Sequence, residues 1–280
     1  MQKFEKISDM REAAQALRQA GKRIAFLPTM GALHAGHASL IRLGREKADV
    51  VIVSTFVNPL QFGPSEDLAK YPRTGPSDVM LCEKEGAEIL FSPTAEEMFP
   101  RGFSTLVIED TVSKPLCGVV RPVLFRGVLT CWLKLFNIVR PDVVVMGEKD
   151  VQQVAVMRKV ATDLLLPLEI VTGPAVRDAD GMAISARNNY LTPTQREAAL
   201  GVYGALCKAK EMVDSGVKSA DRLVAEVTHL LAAKRRLRVI YISVVDRHTM
   251  DALREITTGQ CILAISYWVD EVRLTDNMPL

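Results

Sequence analysis

The sequence predicts an α/β protein, a Rossmann-like doubly wound parallel sheet followed by a second, smaller α+β domain. Three observations predict it. Short β-branched and apolar runs alternate with helical-period stretches between residues 24 and 171, the pattern of parallel strands joined by crossover helices. Polar and glycine-containing patches fall just after those runs, where an open parallel sheet holds its ligand. Beyond Asn188 the alternation stops, and helices are followed by strands.

The first element is a helix that we place after Ser8 as its cap, because Met10, Ala13, Ala14 and Leu17 share a face and Gly21 follows the last turn. Residues 24–27 read as a buried strand, 36–47 as a helix, 50–57 as a β-branched strand, 77–85 as a helix and 88–91 as a strand. A helix over 127–139, a strand over 143–146, a helix over 151–165 and a strand over 168–171 continue the same unit. Helices over 192–215 and 219–234 and strands near 238–245 and 261–269 make the smaller domain. The stretch 176–189, rich in Asp, Gly and Arg and poor in aliphatic residues, reads as the hinge, so the expected domains are 1–175 and 176–280.

A chain of 280 residues is long enough for two domains, and its net charge of +2 gives no electrostatic case for a nucleic-acid or membrane partner. The basic run at Lys234, Arg235, Arg236 and Arg238 reads as a solvated helix end. Cys82, Cys117, Cys131, Cys207 and Cys261 stand singly with no CxxC pair, which points to reduced, buried thiols and away from a disulfide framework or a zinc ribbon. The first residues lack an apolar leader and no apolar run is long enough to span a bilayer; the cytoplasm is the expected compartment.

Residues 27–37, Leu-Pro-Thr-Met-Gly-Ala-Leu-His-Ala-Gly-His, carry the most information. A strand that turns through glycine into a helix aims unsatisfied N–H groups and the positive end of a dipole at one spot, which favours phosphate oxygens. His34 and His37 add imidazole donors whose charge changes near neutral pH. A bland alternative makes them a pair at a helix start, either solvated or binding an adventitious metal. A zinc-protease helix is set aside, since the histidines are three apart and only Ala35 and Gly36 lie between them.

Four patches belong together: PTMGALHAGH, FVNPLQFGPSEDLAKYPRT, GEKDVQQ and DGMAISARNNYL, with RPVLFRGVLTCWLKLFNIVRPD ahead of the third. In that order they resemble the pantothenate synthetase (pantoate:β-alanine ligase) family of the HxGH nucleotidyltransferase superfamily, over nearly all of the chain through Leu191. The resemblance implies a two-step ligase: pantoate and ATP give pantoyl adenylate and pyrophosphate, and the β-alanine amine then displaces AMP. No GxxxxGK[ST] loop occurs, in keeping with that superfamily.

By the same resemblance ATP is held by Met30, Gly31, Ala32, Leu33, His34, Ala35, Gly36 and His37, by Gly147, Glu148, Lys149 and Asp150, by backbone at Val176, and by Ile184, Ser185, Ala186 and Arg187. His34, His37, Lys149 and Arg187 take the catalytic positions, His37 as proton donor. Gln61 and Gln153 clamp pantoate, with Gln61 also near β-alanine. Read without the resemblance, each glutamine is a surface side chain and the GEKD patch a solvated loop. Their chemistry fits the assigned task, since a neutral amide orients a nucleophilic carboxylate without the full charge pairing of an arginine.

Some positions depart from the family pattern. Ala186 stands where a second serine is usual, a loss of about 1 to 2 kcal/mol of transition-state binding. Val151 replaces a common tyrosine and Leu124 a histidine, while Arg121 and Tyr71 match family positions near the pocket in contexts that suit surface roles equally. Mg²⁺ is expected with ATP. Asp78 is a candidate ligand beside Ser77, where the family is often acidic, and the protein ligands are left unassigned. His229 and His248 have no motif around them.

The resemblance further implies a homodimer, for which residues 104–108 are the apolar, β-branched edge we nominate against an ordinary internal strand, and a carboxyl-terminal domain that acts as a lid. The partners expected are small molecules only, pantoate and β-alanine. Two other readings stay open: a nucleotidyltransferase acting on another acceptor, and a catalytically degenerate ATP-binding module suggested by Ala186, Val151 and Leu124.

Overall fold

The computed structural model describes residues 1–64, 66 and 68–280; Ser65 and Asp67, within the second patch, lie outside the described residues. In chain order the elements are β1 (Gln2–Phe4), α1 (Ile7–Gln19), β2 (Ile24–Thr29), α2 (Ala35–Lys47), β3 (Val50–Thr55), α3 (Gly75–Glu85), β4 (Ile89–Phe91), α4 (Ala95–Met98), α5 (Cys117–Val120), α6 (Leu124–Val139), β5 (Val143–Gly147), α7 (Val151–Asp163), β6 (Glu169–Gly173), α8 (Pro193–Asp214), α9 (Ala220–Ala232), β7 (Leu237–Asp246), β8 (Cys261–Val269) and β9 (Val272–Pro279). They form two compact units. The first comprises Met1–Asp110, Arg121–Glu148 and Val156–Pro174, the second Thr111–Val120, Lys149–Ala155 and Ala175–Leu280.

The first unit is built on a six-stranded sheet of order β1-β4-β3-β2-β5-β6 in which every pairing is parallel. From β2 the chain runs outward through β3 to β4, then crosses back to β5 and β6. The order therefore reverses between β2 and β5, the position at which such sheets leave a crevice beyond the strand ends. Both faces are covered, which is why the strands read as unbroken apolar runs. Ala25, Leu27, Val51, Val53, Val143 and Val145 pack with Leu40 and Ile41 of α2 and Cys82 of α3. Phe26, one residue out of phase, meets Phe136 of α6 edge-on with ring centroids 6.2 Å apart.

Ser8 is not the cap of α1. The helix starts two residues earlier than that cap implies, at Ile7, whose N–H donates to Glu97 Oε1 at 2.9 Å, while the Ser8 hydroxyl donates to its neighbour Asp9. A carboxylate ninety positions away thus supplies what a local cap would have, and no sequence window contains it. The short edge strand β1 escapes the sequence pattern because it is three residues long and mostly exposed. Residues 104–108, nominated as an edge strand, form no ladder; Ile108 is 67% exposed and Leu106 42%.

In the second unit an antiparallel sheet of order β7-β8-β9 packs beneath α8 and α9. Leu206 and Val202 of α8, Leu223 and Val227 of α9, and Leu263, Ile265, Tyr267 and Val269 of β8 are all buried in its core. A reciprocal cap opens α8, where Thr192 accepts from the Gln195 N–H and Gln195 Oε1 accepts from the Thr192 N–H. The sequence reading misses β9. No helix among the described residues is long and apolar enough to cross a membrane.

Candidate active site

The first unit places its predicted residues at the ends of β2 and β3. After Thr29 the chain turns through Gly31 (φ +80°) and Ala32 (φ +51°) and enters α2 at His34. Asp78, 3% exposed, holds this turn: its Oδ2 accepts from the Ala32 N–H at 3.1 Å, and its Oδ1 accepts from the Leu33 N–H at 2.8 Å and the Thr74 hydroxyl at 2.9 Å. A Cβ on Gly31 would stand 3.0 Å from Asp78 Oδ2, so glycine meets both the left-handed φ and the close approach. The sequence named Asp78 as a candidate metal ligand. Its oxygens are instead committed to backbone and hydroxyl donors.

At the amino end of α2 the His34 and His37 rings lie 4.1 Å apart between centroids, tilted by 43°. The His34 N–H donates to His37 Nδ1 at 3.2 Å. With Nδ1 serving as acceptor, a neutral His37 carries its proton on Nε2, which leaves Nε2–H as the donor. Gly36 makes room for this pair, since a Cβ there would lie 3.0 Å from His34 Cε1 and 3.1 Å from His34 Nδ1. The helix-start reading of the two histidines is correct as to place, and the rings stand together rather than separately solvated.

Gln61 is buried at 9% exposure, so the surface reading of this glutamine fails. It ends a 3₁₀ turn, Pro59–Gln61, capped by Asn58, whose Oδ1 accepts from the Leu60 N–H. Asn58 Nδ2 donates to Gln61 Oε1 at 3.2 Å and to the Gly127 carbonyl of α6 at 2.9 Å, while Gln61 Nε2 donates to Met30 Sδ at 2.6 Å. Gly127 is obligatory: a Cβ there would meet the Leu60 carbonyl oxygen at 2.2 Å. Arg121, with a side chain 8% exposed, donates to the Gln61 carbonyl at 3.1 Å and pairs with Glu66, which gives it an anchoring task the sequence left open. Tyr71 packs edge-on against Phe62, ring centroids 6.1 Å apart. Leu124 is buried at 3% exposure. Asn58 falls in the polar stretch 58–61 that the sequence reading marks just past a strand, but that reading gave it no role of its own; its Asn-Pro step was the available signal.

Gly147 ends β5, beside β2 across the reversal of strand order, and Glu148 follows it with Oε1 accepting from the Thr172 hydroxyl at 3.0 Å. A Cβ on Gly147 would find only an ordinary contact with Leu40 at 3.6 Å, so packing alone does not require glycine there.

The second unit holds the other predicted residues. Lys149 Nζ lies 3.9 Å from Asp150 Oδ1, with the lysine side chain 21% and the aspartate 54% exposed. Of two adjacent glutamines, Gln152 is buried and used up by the loop before α5: its Oε1 accepts from the Cys117 N–H, and its Nε2 donates to the Val112 and Pro115 carbonyls. Gln153, in α7, is half-buried, and its side-chain amide makes no hydrogen bond among the described residues. Val176 and Ile184 face each other across a small hairpin, the Ile184 N–H donating to the Val176 carbonyl at 2.9 Å. Ser185 caps the following 3₁₀ turn Ala186–Tyr190 by accepting from the Arg187 N–H. Lys149, Ser185, Asn188, Tyr203 and Asp276 line a small cleft open to solvent, and the Asn188 Oδ1 is buried without a partner. His229 and His248 are exposed.

Residues 2–279 match the family model described as pantoate-beta-alanine ligase. The chain belongs to the pantoate-β-alanine ligase family. A pantothenate synthetase of Heliobacterium modesticaldum is 44% identical over 278 residues, 99% of each chain, and pantothenate synthetase 1 of Bradyrhizobium diazoefficiens is 44% identical over 280 residues. Among solved structures, pantothenate synthetase from Thermus thermophilus superposes with a TM-score of 0.94 at 36% identity, covering 100% of this chain and 99% of that one. The ligase from Francisella tularensis, described as complexed with beta-gamma ATP and β-alanine, superposes at 0.81 with 28% identity, covering 100% and 97%.

Proposed function

We propose that this chain is an ATP-dependent ligase that joins pantoate to β-alanine by way of pantoyl adenylate, releasing AMP and pyrophosphate. The observation that carries the reading is the His34–His37 pair at the amino end of α2, on a turn fixed by Asp78, in a chain that matches the pantoate-β-alanine ligase family almost end to end. In the first step a pantoate carboxylate oxygen bonds to the α-phosphorus and the α–β bridging bond breaks. Negative charge then grows on the departing pyrophosphate, and donors already aimed by the helix stabilise it more than they stabilise bound ATP.

His37 Nε2–H is one such donor; Lys149 and Arg187 supply positive charge to the same nucleotide, the lysine as a point charge and the arginine as a fork. Glu148, Asp150, Val176, Ile184, Ser185 and Ala186 are assigned to ATP with them. Gln61 has a second N–H beyond the one given to Met30, and Gln153 has its whole amide, so both are equipped to hold pantoate. In the second step the β-alanine nitrogen attacks the acyl carbon, the acyl–phosphate oxygen bond breaks with its electrons leaving on AMP, and the amine gives up a proton.

Among the described residues no three His, Cys, Asp or Glu side chains cluster as a metal site, and the Asp78 oxygens already accept three hydrogen bonds. The described side chains thus form no all-protein cage for Mg²⁺, as is usual where substrate phosphates supply most of its ligands. We assign that ion to the substrate, as the Mg²⁺ complex of ATP held by phosphate oxygens and water.

The test is exchange of labelled pyrophosphate into ATP. Purified protein is expected to catalyse it when pantoate is present, with β-alanine unnecessary; exchange indifferent to pantoate sinks the proposal. We further assign a lid role to the carboxyl-terminal domain, a cytoplasmic location in keeping with five free thiols, and a homodimer. Light scattering at micromolar concentration should give twice the chain mass of 30.9 kDa, and a value at the chain mass removes the dimer.

A further inference from the structure

Within the second unit one buried polar cluster has no part in the reaction as described. On β9, Val272, Leu274 and Asp276 fall in one phase, so a carboxylate occupies a position that the strand otherwise gives to apolar side chains; it is 6% exposed. Asp276 binds Arg177 through both oxygens, at 2.8 Å from Nη1 to Oδ2 and 2.9 Å from Nη2 to Oδ1. The same guanidinium donates to the Gly181 carbonyl at 3.1 Å and the Asn277 carbonyl at 3.3 Å, and its carbon sits 4.4 Å from the centre of the Tyr203 ring. Burial disfavours the charge on Arg177, but the hydrogen bonds and charge of Asp276 prevail, and its pKa stands above the ordinary value. Removing either partner would leave an uncompensated buried charge.

The neighbouring residue faces a different segment. Asn277, 8% exposed, donates from Nδ2 to the Lys149 carbonyl at 2.9 Å, and its own N–H donates to Asp276 Oδ1 at 2.8 Å. Two consecutive residues of one strand thus hold two segments far apart in sequence. One is the backbone at Lys149. The other is the hairpin in which Arg177 pairs with Ala183, directly ahead of Ser185 and Arg187. Both segments are those assigned above to ATP. A loop lysine on a flexible stem acts on phosphate only as well as its backbone is placed, since small displacements of a catalytic charge are costly.

We propose that Asp276 and Asn277 of β9 are positioning residues for the nucleotide chemistry: Asn277 sets the backbone of Lys149, and Asp276, through Arg177, sets the hairpin that delivers Ser185 and Arg187. This rests on the ligase reading for the roles of Lys149 and Arg187, but not for the geometry. If Asn277 acts through Lys149, its removal matters only while that lysine is present. A residue that merely stabilises the fold has the same effect in either background.

The experiment is a double-mutant cycle on ATP binding by calorimetry, using the full chain and the variants Asn277→Ala, Lys149→Ala and their combination, with thermal midpoints measured alongside. Asn277→Ala is expected to weaken ATP binding about three- to tenfold in the parent, the effect of one lost hydrogen bond, and less than about twofold in the Lys149→Ala background. Equal losses in both backgrounds, or none in either, overturn the proposal. Should Asn277→Ala fail to fold, Asn277→Ser, which keeps a shorter donor, enters the same cycle with the same two outcomes. Pantoate-dependent pyrophosphate exchange by the parent is run in parallel: its absence defeats the ligase reading, whereas exchange together with an additive cycle defeats only the positioning role.

Discussion

Gly36 separates catalysis from stability at a single position. In the first turn of α2 glycine is a poor helix former, and alanine is better by up to about 1 kcal/mol. Yet the new methyl would press on His34 at 3.0 to 3.1 Å, and that ring is backed by His37. Gly36→Ala is therefore expected to keep or raise the thermal midpoint while pyrophosphate exchange falls by more than about tenfold, because the imidazole is displaced from its working position. Unchanged exchange would mean that His34 is not where the reaction needs it. At this scale the sequence was informative about which residues and silent about their mates. It singled out His34, His37, Gln61 and Lys149 from motif and strand end and did not say what holds them: Asp78 stands more than forty residues from the turn it fixes, Asn58 only three from Gln61 but without a role the pattern shows, and Asn277 in a strand the pattern did not reveal. Gln152 and Gln153 show the same limit. Only the fold decides that the first is consumed by backbone of the 112–117 loop, while the second, half-buried, is the one proposed for pantoate.

Elements followed the pattern where burial is continuous and parted from it where partners are distant. β2, β3 and β5 were legible because both faces of the sheet are covered, whereas the start of α1 was misplaced because its first N–H is met by Glu97. β9 was overlooked because polar Asp276 and Asn277 interrupt its alternation just where both are buried. The end of β7 shows how a turn is fixed locally and how it responds to acid. Asp246 Oδ1 accepts from the Thr249 N–H at 2.9 Å and the His248 N–H at 2.8 Å, tying a turn that carries Met250 at φ +61°. Those donors, Thr249 foremost, hold the carboxyl below its ordinary pKa. With the folded value depressed, the stabilisation is complete above the unfolded pKa near ~4 and is lost as pH falls through the folded value. Asp246→Ala is expected to cost about 1 kcal/mol at pH 7, and urea unfolding at a series of pH values should show the two proteins converging below about pH 4. A constant difference across that range would exclude the carboxylate as the source.

At the scale of the whole molecule, the doubly wound order was legible because strand and helix alternate at regular spacing, and the reversal between β2 and β5 follows from that order. The second unit was harder to read, since its α+β texture carries no comparable rhythm and its segments 111–120 and 149–155 come from the middle of the sequence. The five cysteines offer a measure of how firmly the first unit is closed. All are free thiols, but only Cys82, Cys131 and Cys261 are buried; Cys117 and Cys207 are half-buried, against the expectation that all would be enclosed. Burial pushes the thiols of Cys82 and Cys131 up to about 12, with Asp78 and Glu83 adding to the effect at Cys82. Since the thiolate is the nucleophile, almost none is present at pH 8, and alkylation at these two sites must wait for opening of the unit that contains them. Pulsed alkylation read by mass spectrometry should therefore label Cys117 and Cys207 first, and Cys82 and Cys131 together, at a rate that climbs with urea in step with unfolding. Pantoate and ATP bound to the folded form should slow the pair further by mass action while leaving the rate in full denaturant unchanged. Early labelling of Cys82 or Cys131 in the absence of denaturant would show that the sheet and its two covering layers open far more readily than their packing implies.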